Sequence, residues 1–291
     1  DVMRWTYAKT NLSQNVLFGY GPAKEIRKNL DYLVNISNFL ELSMEGKPKK
    51  TDGKNKEDLW LISRRESLKK LVIKELKDLN PYNASRAIED FFINDFSRIY
   101  IKSVRDRVKK EEVVSGIIYE TLLEVLKLMA PFTPFIAEHI YQKTFRNYEK
   151  KESIHLFEWP EPKEQKIDTE LEKNFGIVQK ISEASNALRQ DKNVGLRYPV
   201  KKMLVSGPQD VRDAVNSLEK VLKKMTNVKE IEFGEMEMDY KIKLNYRKVG
   251  PKYGKDVKKI EKALGGEDHN ELASKIEEKG EIEVSGFRLE E

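Results

Sequence analysis

Apolar residues recurring at steps of three and four dominate the first half of the chain, and that period commits it to packed helices. Between Ala23 and Met44 the stripe is Ile26, Leu30, Leu33, Ile36 and Leu40. Leu61, Leu68, Val72, Leu76 and Leu79 form a second stripe, which Asn80-Pro81 ends because the residue before proline avoids the helical region. Ala84, Ile88, Phe91, Phe92 and Ile99 mark a third helix, predicted to run from Pro81 in its first turn to Lys110. A fourth runs from Val113 to Met129, is punctuated by Pro131 and Pro134, and resumes from Phe135 to about Phe145. Four long helices with short connections predict an antiparallel bundle. The stretch from Gly46 to Lys54, rich in lysine and glycine with nothing apolar to bury, reads as an exposed loop.

Past Pro160 and Pro162 the pattern changes. A helix from Leu171 to Leu188 precedes strand candidates at Met203 to Val205, Lys229 to Phe233 and Tyr240 to Tyr246. Helical patterns recur at Val211 to Lys224, Val257 to Leu264 and Leu272 to Glu278, before a last strand signal from Ile282 to Leu289. The expectation is an α-helical bundle over residues 1–160 followed by a small α+β domain over 161–291. A chain of 291 residues is long enough for two such cores.

Composition narrows the chemistry. The absence of cysteine removes disulfides and thiolate metal sites, and His139, His155 and His269 are too scattered to suggest a zinc cluster, so no metal is expected. With 35% charged residues and no apolar run approaching ~18 residues, the chain reads as soluble, cytoplasmic and without a membrane partner. The net charge of +5 is unevenly placed. Residues 1–150 carry 27 Lys and Arg against 21 Asp and Glu, and the remainder 27 against 28, so a polyanion-facing surface belongs in the first half.

On the third predicted helix Arg98, Lys102, Arg105 and Lys109 are spaced to project from one α-helical face, with Tyr100 in the same stretch as a ring on which a base could stack. A stripe of this kind suits phosphates, and equally describes a solvated helix face. Asn94-Asp95 interrupts the apolar face and reads as a structural polar pair, while Trp5 and Trp60 read as seals of the bundle. In the second half, Gly250 to Lys255 leads into a predicted helix and offers backbone amides with Lys252 and Lys255 to a phosphate, at a spacing unlike a Walker loop. Leu196 to Val200 presents Arg197 and a ring, suited to RNA or to docking on a neighbouring domain. No paired carboxylates, nucleophile beside histidine, or glycine-rich nucleotide loop stands out.

Several of these stretches, taken in order, resemble the part of class I isoleucyl-tRNA synthetases that follows the catalytic domain. Asp1 to Trp5 is similar to a segment after the family's KMSKS loop, and Asp58 to Arg64 to the start of its second bundle helix. Ala87 to Ile101 and Ala130 to Glu138 resemble the anticodon-binding bundle, and Ser153 to Pro160 the exit from it. Val194 to Val200 and Val249 to Lys255 resemble the extension found in the archaeal and eukaryotic-type isoleucine enzymes. The resemblance implies a module that grips the anticodon arm of isoleucine tRNA, acting with catalytic and editing domains of the same polypeptide, and since no seam suggests a dimer a monomer is expected. The family's HIGH and KMSKS motifs have no match here, so ATP and Mg2+ are expected to serve only the full-length enzyme, with no cofactor in this portion and no activity of its own. The family's chain also continues beyond the last strand. A valyl or leucyl enzyme, or a helical docking module without RNA affinity, are the rival readings.

Overall fold

The apolar stripes become helices, two of which start at side-chain caps. In the computed structural model, residues 1–11, 19–49, 52–234, 253–266, 281–284 and 286–290 are described, with isolated positions 13, 15, 16, 244, 246, 249, 272, 275 and 276. Helix α1 (Val2–Ala8) and α2 (Tyr20–Glu41) precede α3 (Lys56–Lys77), where the Asp58 carboxylate reaches back to the Asn55 N–H as in a capping box. Asn80 accepts from the Asn83 N–H at 3.1 Å and Pro81 supplies the first turn of α4 (Pro81–Asp90). The chain then winds as a π-helix over Phe91–Ile101, returns to a single α turn in α5 (Lys102–Val104), and passes through turns at 105–110. Helix α6 (Glu112–Met129) and α7 (Pro134–Ile140), extended by a π turn at Tyr141–Phe145, complete the bundle.

The core is the predicted one along most of its length. Leu30, Leu33, Ile36 and Leu40 of α2, Leu61, Leu68 and Val72 of α3, and Ile88, Phe91 and Phe92 beyond it are all buried. Leu79 is a correction: it is 86% exposed, because α3 has already ended at Lys77 and Leu79 adopts a left-handed φ of 56° as the chain turns into α4. Trp5 and Trp60 are buried, Trp5 donating from Nε1 to Glu89 at 2.6 Å. Asp95 is buried and accepts from Arg64 Nε at 3.0 Å, while Arg64 Nη1 donates to Glu172 at 3.1 Å. One guanidinium thus ties α3, the π-helix and α8 (Thr169–Asp191) together.

By packing, the chain divides into Asp1–Met203 with Gly207–Ile231, and Leu204–Ser206 with Glu232–Glu291. The expected division at 160/161 therefore differs from the packing, and the reason is α8, whose Phe175 stacks on Trp60 of α3 with centroids 4.5 Å apart and planes 11° from parallel. Strands β1 (Val200–Val205) and β2 (Val228–Phe233) form a two-stranded sheet. Between them the single predicted helix is two, α9 (Gln209–Ser217) and α10 (Glu219–Thr226), broken at Leu218, whose φ of −123° is not helical. In the second unit α11 (Val257–Leu264) and the antiparallel hairpin of β3 (Glu281–Val284) and β4 (Phe287–Glu290) share a cluster of Ile260, Leu264, Leu272, Ile282, Val284 and Leu289. The last predicted strand is this hairpin, turned at Gly286 with a φ of 78°. The strand expected at Tyr240 to Tyr246 and the helix at Leu272 to Glu278 lie for the most part outside the described residues. Among the described residues no helix is long and apolar enough to cross a membrane.

Candidate nucleic-acid interface

The basic segment is organised around a carboxylate with no exposed surface. Asp58, in the first turn of α3 and 0% exposed, accepts from the Tyr100 hydroxyl at 3.0 Å and from Arg107 Nη2 at 2.8 Å. Arg107 also donates from Nη1 to Glu57 at 3.1 Å and from Nε to Glu111 at 3.1 Å. Burial pushes the Tyr100 phenol well above its ordinary pKa, and the Asp58 charge adds to it. Burial opposes the charge on Arg107, yet its bonds to Glu111 and Asp58 raise its pKa above the ordinary value. Tyr100 and Arg107 thus fasten the far end of the third helix to the start of α3.

Two consequences correct the sequence reading. Tyr100 is 0% exposed, so its ring is part of the core and is not available to stack on a base. The expected ladder is also broken. Spacings of four and three place residues on one face only of an α-helix, whereas Arg98 lies in the π-helix, Lys102 in an α turn, and Arg105 and Lys109 in turns. Arg98 is drawn back onto α2, donating to the Tyr32 hydroxyl at 3.2 Å and to Asn94 at 3.0 Å, with its guanidinium 5.6 Å from the centre of the Tyr32 ring.

What remains is a rim of free cations. Val104 and Val108 are buried, and Lys102, Arg105, Lys109 and Lys110 between and beyond them are exposed. None of these four has a carboxylate partner among the described residues. Lys224 of α10 donates to the Ser103 carbonyl and lies close enough to Glu111 to act on its charge. Beside the rim opens a cleft of about 690 Å³ lined by Leu42 to Pro48 on one side and by Val108 to Lys110, Glu112 and Ser115 on the other. The Lys49 N–H donates to Glu112 at 3.3 Å, which brings the predicted lysine loop to the same end of the bundle. Sequence reasoning missed Lys224 and the clasp at Asp58, since neither long-range contact leaves a periodic trace.

Of the site residues expected in the second half, Arg197 is exposed on the loop between α8 and β1. Lys252 lies outside the described residues, as does the side chain of Lys255, whose backbone is part of the turn Gly254–Asp256.

Comparison with known proteins places this geometry in context. The family model described as the anticodon-binding domain of tRNA ligase matches residues 58–204, from Asp58 itself through α8 and into β1. An isoleucine-tRNA ligase of Pyrococcus abyssi is 34% identical over 94% of this chain and 27% of its own length. That of Methanocaldococcus jannaschii is 35% identical over 80% of this chain and 23% of its own, and that of Methanococcus maripaludis 30% identical over 99% and 29%. The chain thus spans about a quarter of the length of the curated relatives it matches.

Proposed function

The chain belongs to the anticodon-binding domain family of tRNA ligases, and from that premise we propose that it is the module of an isoleucine-tRNA ligase that grips the anticodon arm, supporting ATP-dependent isoleucylation by the longer enzyme. The observation that carries this is the rim itself: the Asp58 clasp holds the segment, and Lys102, Arg105 and Lys109 stand exposed with no carboxylate partner among the described residues. Unpaired cations on a fixed backbone suit RNA phosphates, because each phosphate neutralised releases condensed counterions. The adjoining cleft gives unpaired nucleotides a place beside that rim. Similarity to the isoleucine enzymes of several archaea supports isoleucine over valine or leucine.

The module works in the cytoplasm as part of a monomeric polypeptide that includes catalytic and editing domains. ATP and Mg2+ belong to the catalytic portion. Among the described residues no group of three or more His, Asp or Glu is placed to hold a metal ion. The test is an anisotropy titration with isoleucine tRNA and with the same tRNA carrying a changed anticodon, at two salt concentrations. Tighter binding to the native anticodon, weakening steeply with salt, is the expected result. Equal binding to both reduces the role to nonspecific contact, and no binding at either salt turns the module into a protein-docking one.

A further inference from the structure

The loop between α8 and β1 is built around a buried cation. Arg189, 7% exposed in the last turn of α8, donates from Nη1 to the carbonyls of Gly195 (3.5 Å) and Tyr198 (2.9 Å), and from Nη2 to those of Thr226 (2.8 Å) and Asn227 (3.2 Å). Asn227, in the left-handed region at a φ of 52°, donates from Nδ2 to the carbonyls of Leu196 (2.9 Å) and Arg197 (3.2 Å). Four consecutive carbonyls, Gly195 through Tyr198, are therefore held by two side chains, and the Tyr198 N–H closes the turn on Gly195 at 3.0 Å. A loop whose backbone is fixed in this way loses little freedom when something binds to it.

This scaffold displays Tyr198, which is 70% exposed. A methyl group on Gly195 would meet the ring at 3.6 Å from Cδ2 and 3.7 Å from Cε2, so the ring leans over the bare glycine and the rest of its surface is open. The chain on either side of it is rich in cations. From Lys192 to Lys202 the chain has four cations, Lys192, Arg197, Lys201 and Lys202, and no acid. Arg197 and Lys201 have no carboxylate partner among the described residues. A protein-binding anchor sits in an apolar surround depleted of lysine. An exposed ring among lysines and arginine is instead the pattern of single-stranded nucleic-acid binding, where rings take bases and cations take the backbone.

We propose that Tyr198 is a stacking platform for one unpaired base of the bound RNA, with Arg197 on the neighbouring phosphate and Arg189 as the positioning residue that holds the loop. This rests on the tRNA-binding role above and adds a contact outside the Lys102 to Lys109 rim. Any base presents a π face, so the contact contributes affinity with little sequence preference.

The test titrates the intact chain with full-length isoleucine tRNA and compares Tyr198→Phe, Tyr198→Leu and Tyr198→Ala with the double variant Lys102→Glu, Arg105→Glu. Stacking predicts that Phe binds as the parent does, whereas Leu and Ala weaken binding about 5- to 100-fold. It also predicts that the emission added by Tyr198→Trp is quenched on binding. The platform is overturned if Ala binds like the parent, if Leu binds as well as Phe, which marks an apolar contact, or if the added emission does not respond. Should the charge variant lose binding while Tyr198→Ala keeps it, the rim stands and only the platform falls. If the parent chain binds no tRNA, both fall together.

Discussion

Asp58 joins one carboxylate to a phenol, a guanidinium and a backbone amide without any exposed surface of its own. Removing one donor from a buried acceptor costs about 1–2 kcal/mol. Tyr100→Phe is therefore expected to lower stability by that amount, read by urea unfolding, and to leave tRNA affinity unchanged. A loss of affinity without a loss of stability would put the hydroxyl at the RNA. Asp95 is one residue where pH acts. Burial pushes its carboxyl up to about 6, against the lowering effect of Arg64 at 2.9 Å. Burial likewise opposes the charge on Arg64, but Asp95 and Glu172 hold its pKa above the ordinary value, so it stays charged throughout. A folded value above the ordinary 3.8 means that the folded chain binds the Asp95 proton more tightly than the unfolded chain does. That contribution is complete below the unfolded value and is lost as pH rises through about 6. Unfolding free energy should thus carry a falling component of up to about 3 kcal/mol between pH ~4 and ~6. Asp95→Asn should flatten that step in denaturant titrations across the window, and an unchanged profile would sink the assignment.

At the scale of the element, the π-helix at Phe91–Ile101 decides what the basic stretch can do. It buries Phe91, Phe92, Phe96 and Tyr100 together and leaves Arg98 on α2. Lys102, Arg105, Lys109 and Lys110 are then exposed and without a carboxylate partner among the described residues, so Lys102→Glu with Arg105→Glu should weaken tRNA binding and reduce its salt slope by about two. Arg98→Ala should do less, since its guanidinium is already engaged. The comparison is made at matched ionic strength after circular dichroism has established folding. The loop after α8 depends equally on one side chain. Arg189→Met would leave four carbonyls short of a donor and is expected to cost about 2–4 kcal/mol by urea unfolding. An effect below about 0.5 kcal/mol would mean that the loop holds its shape without it.

At the scale of the whole molecule, the stacking of Phe175 on Trp60 holds α8 to the bundle. Trp60→Ala should cost about 3–5 kcal/mol. A chain ending at 160 exposes the same face of α3 and should melt well below the full chain, whereas equal melting would restore the boundary to the prolines. Periodicity alone was enough to read the bundle, because a helix that buries one face must repeat its apolar residues at that face's period, as Leu30, Leu33, Ile36 and Leu40 do. Charge segregation likewise put the excess of lysine and arginine in the half of the chain that carries the exposed Lys102 to Lys110 rim. Which cations are free, and which ring is buried, was decided only by tertiary structure. Tyr100 and Arg107 meet Asp58 across more than forty residues, and Arg189 and Asn227 hold between them a loop that belongs to neither helix pattern. Such contacts depend on how helices meet in space, and a one-dimensional pattern records a residue's own face but not the partner that will lie against it.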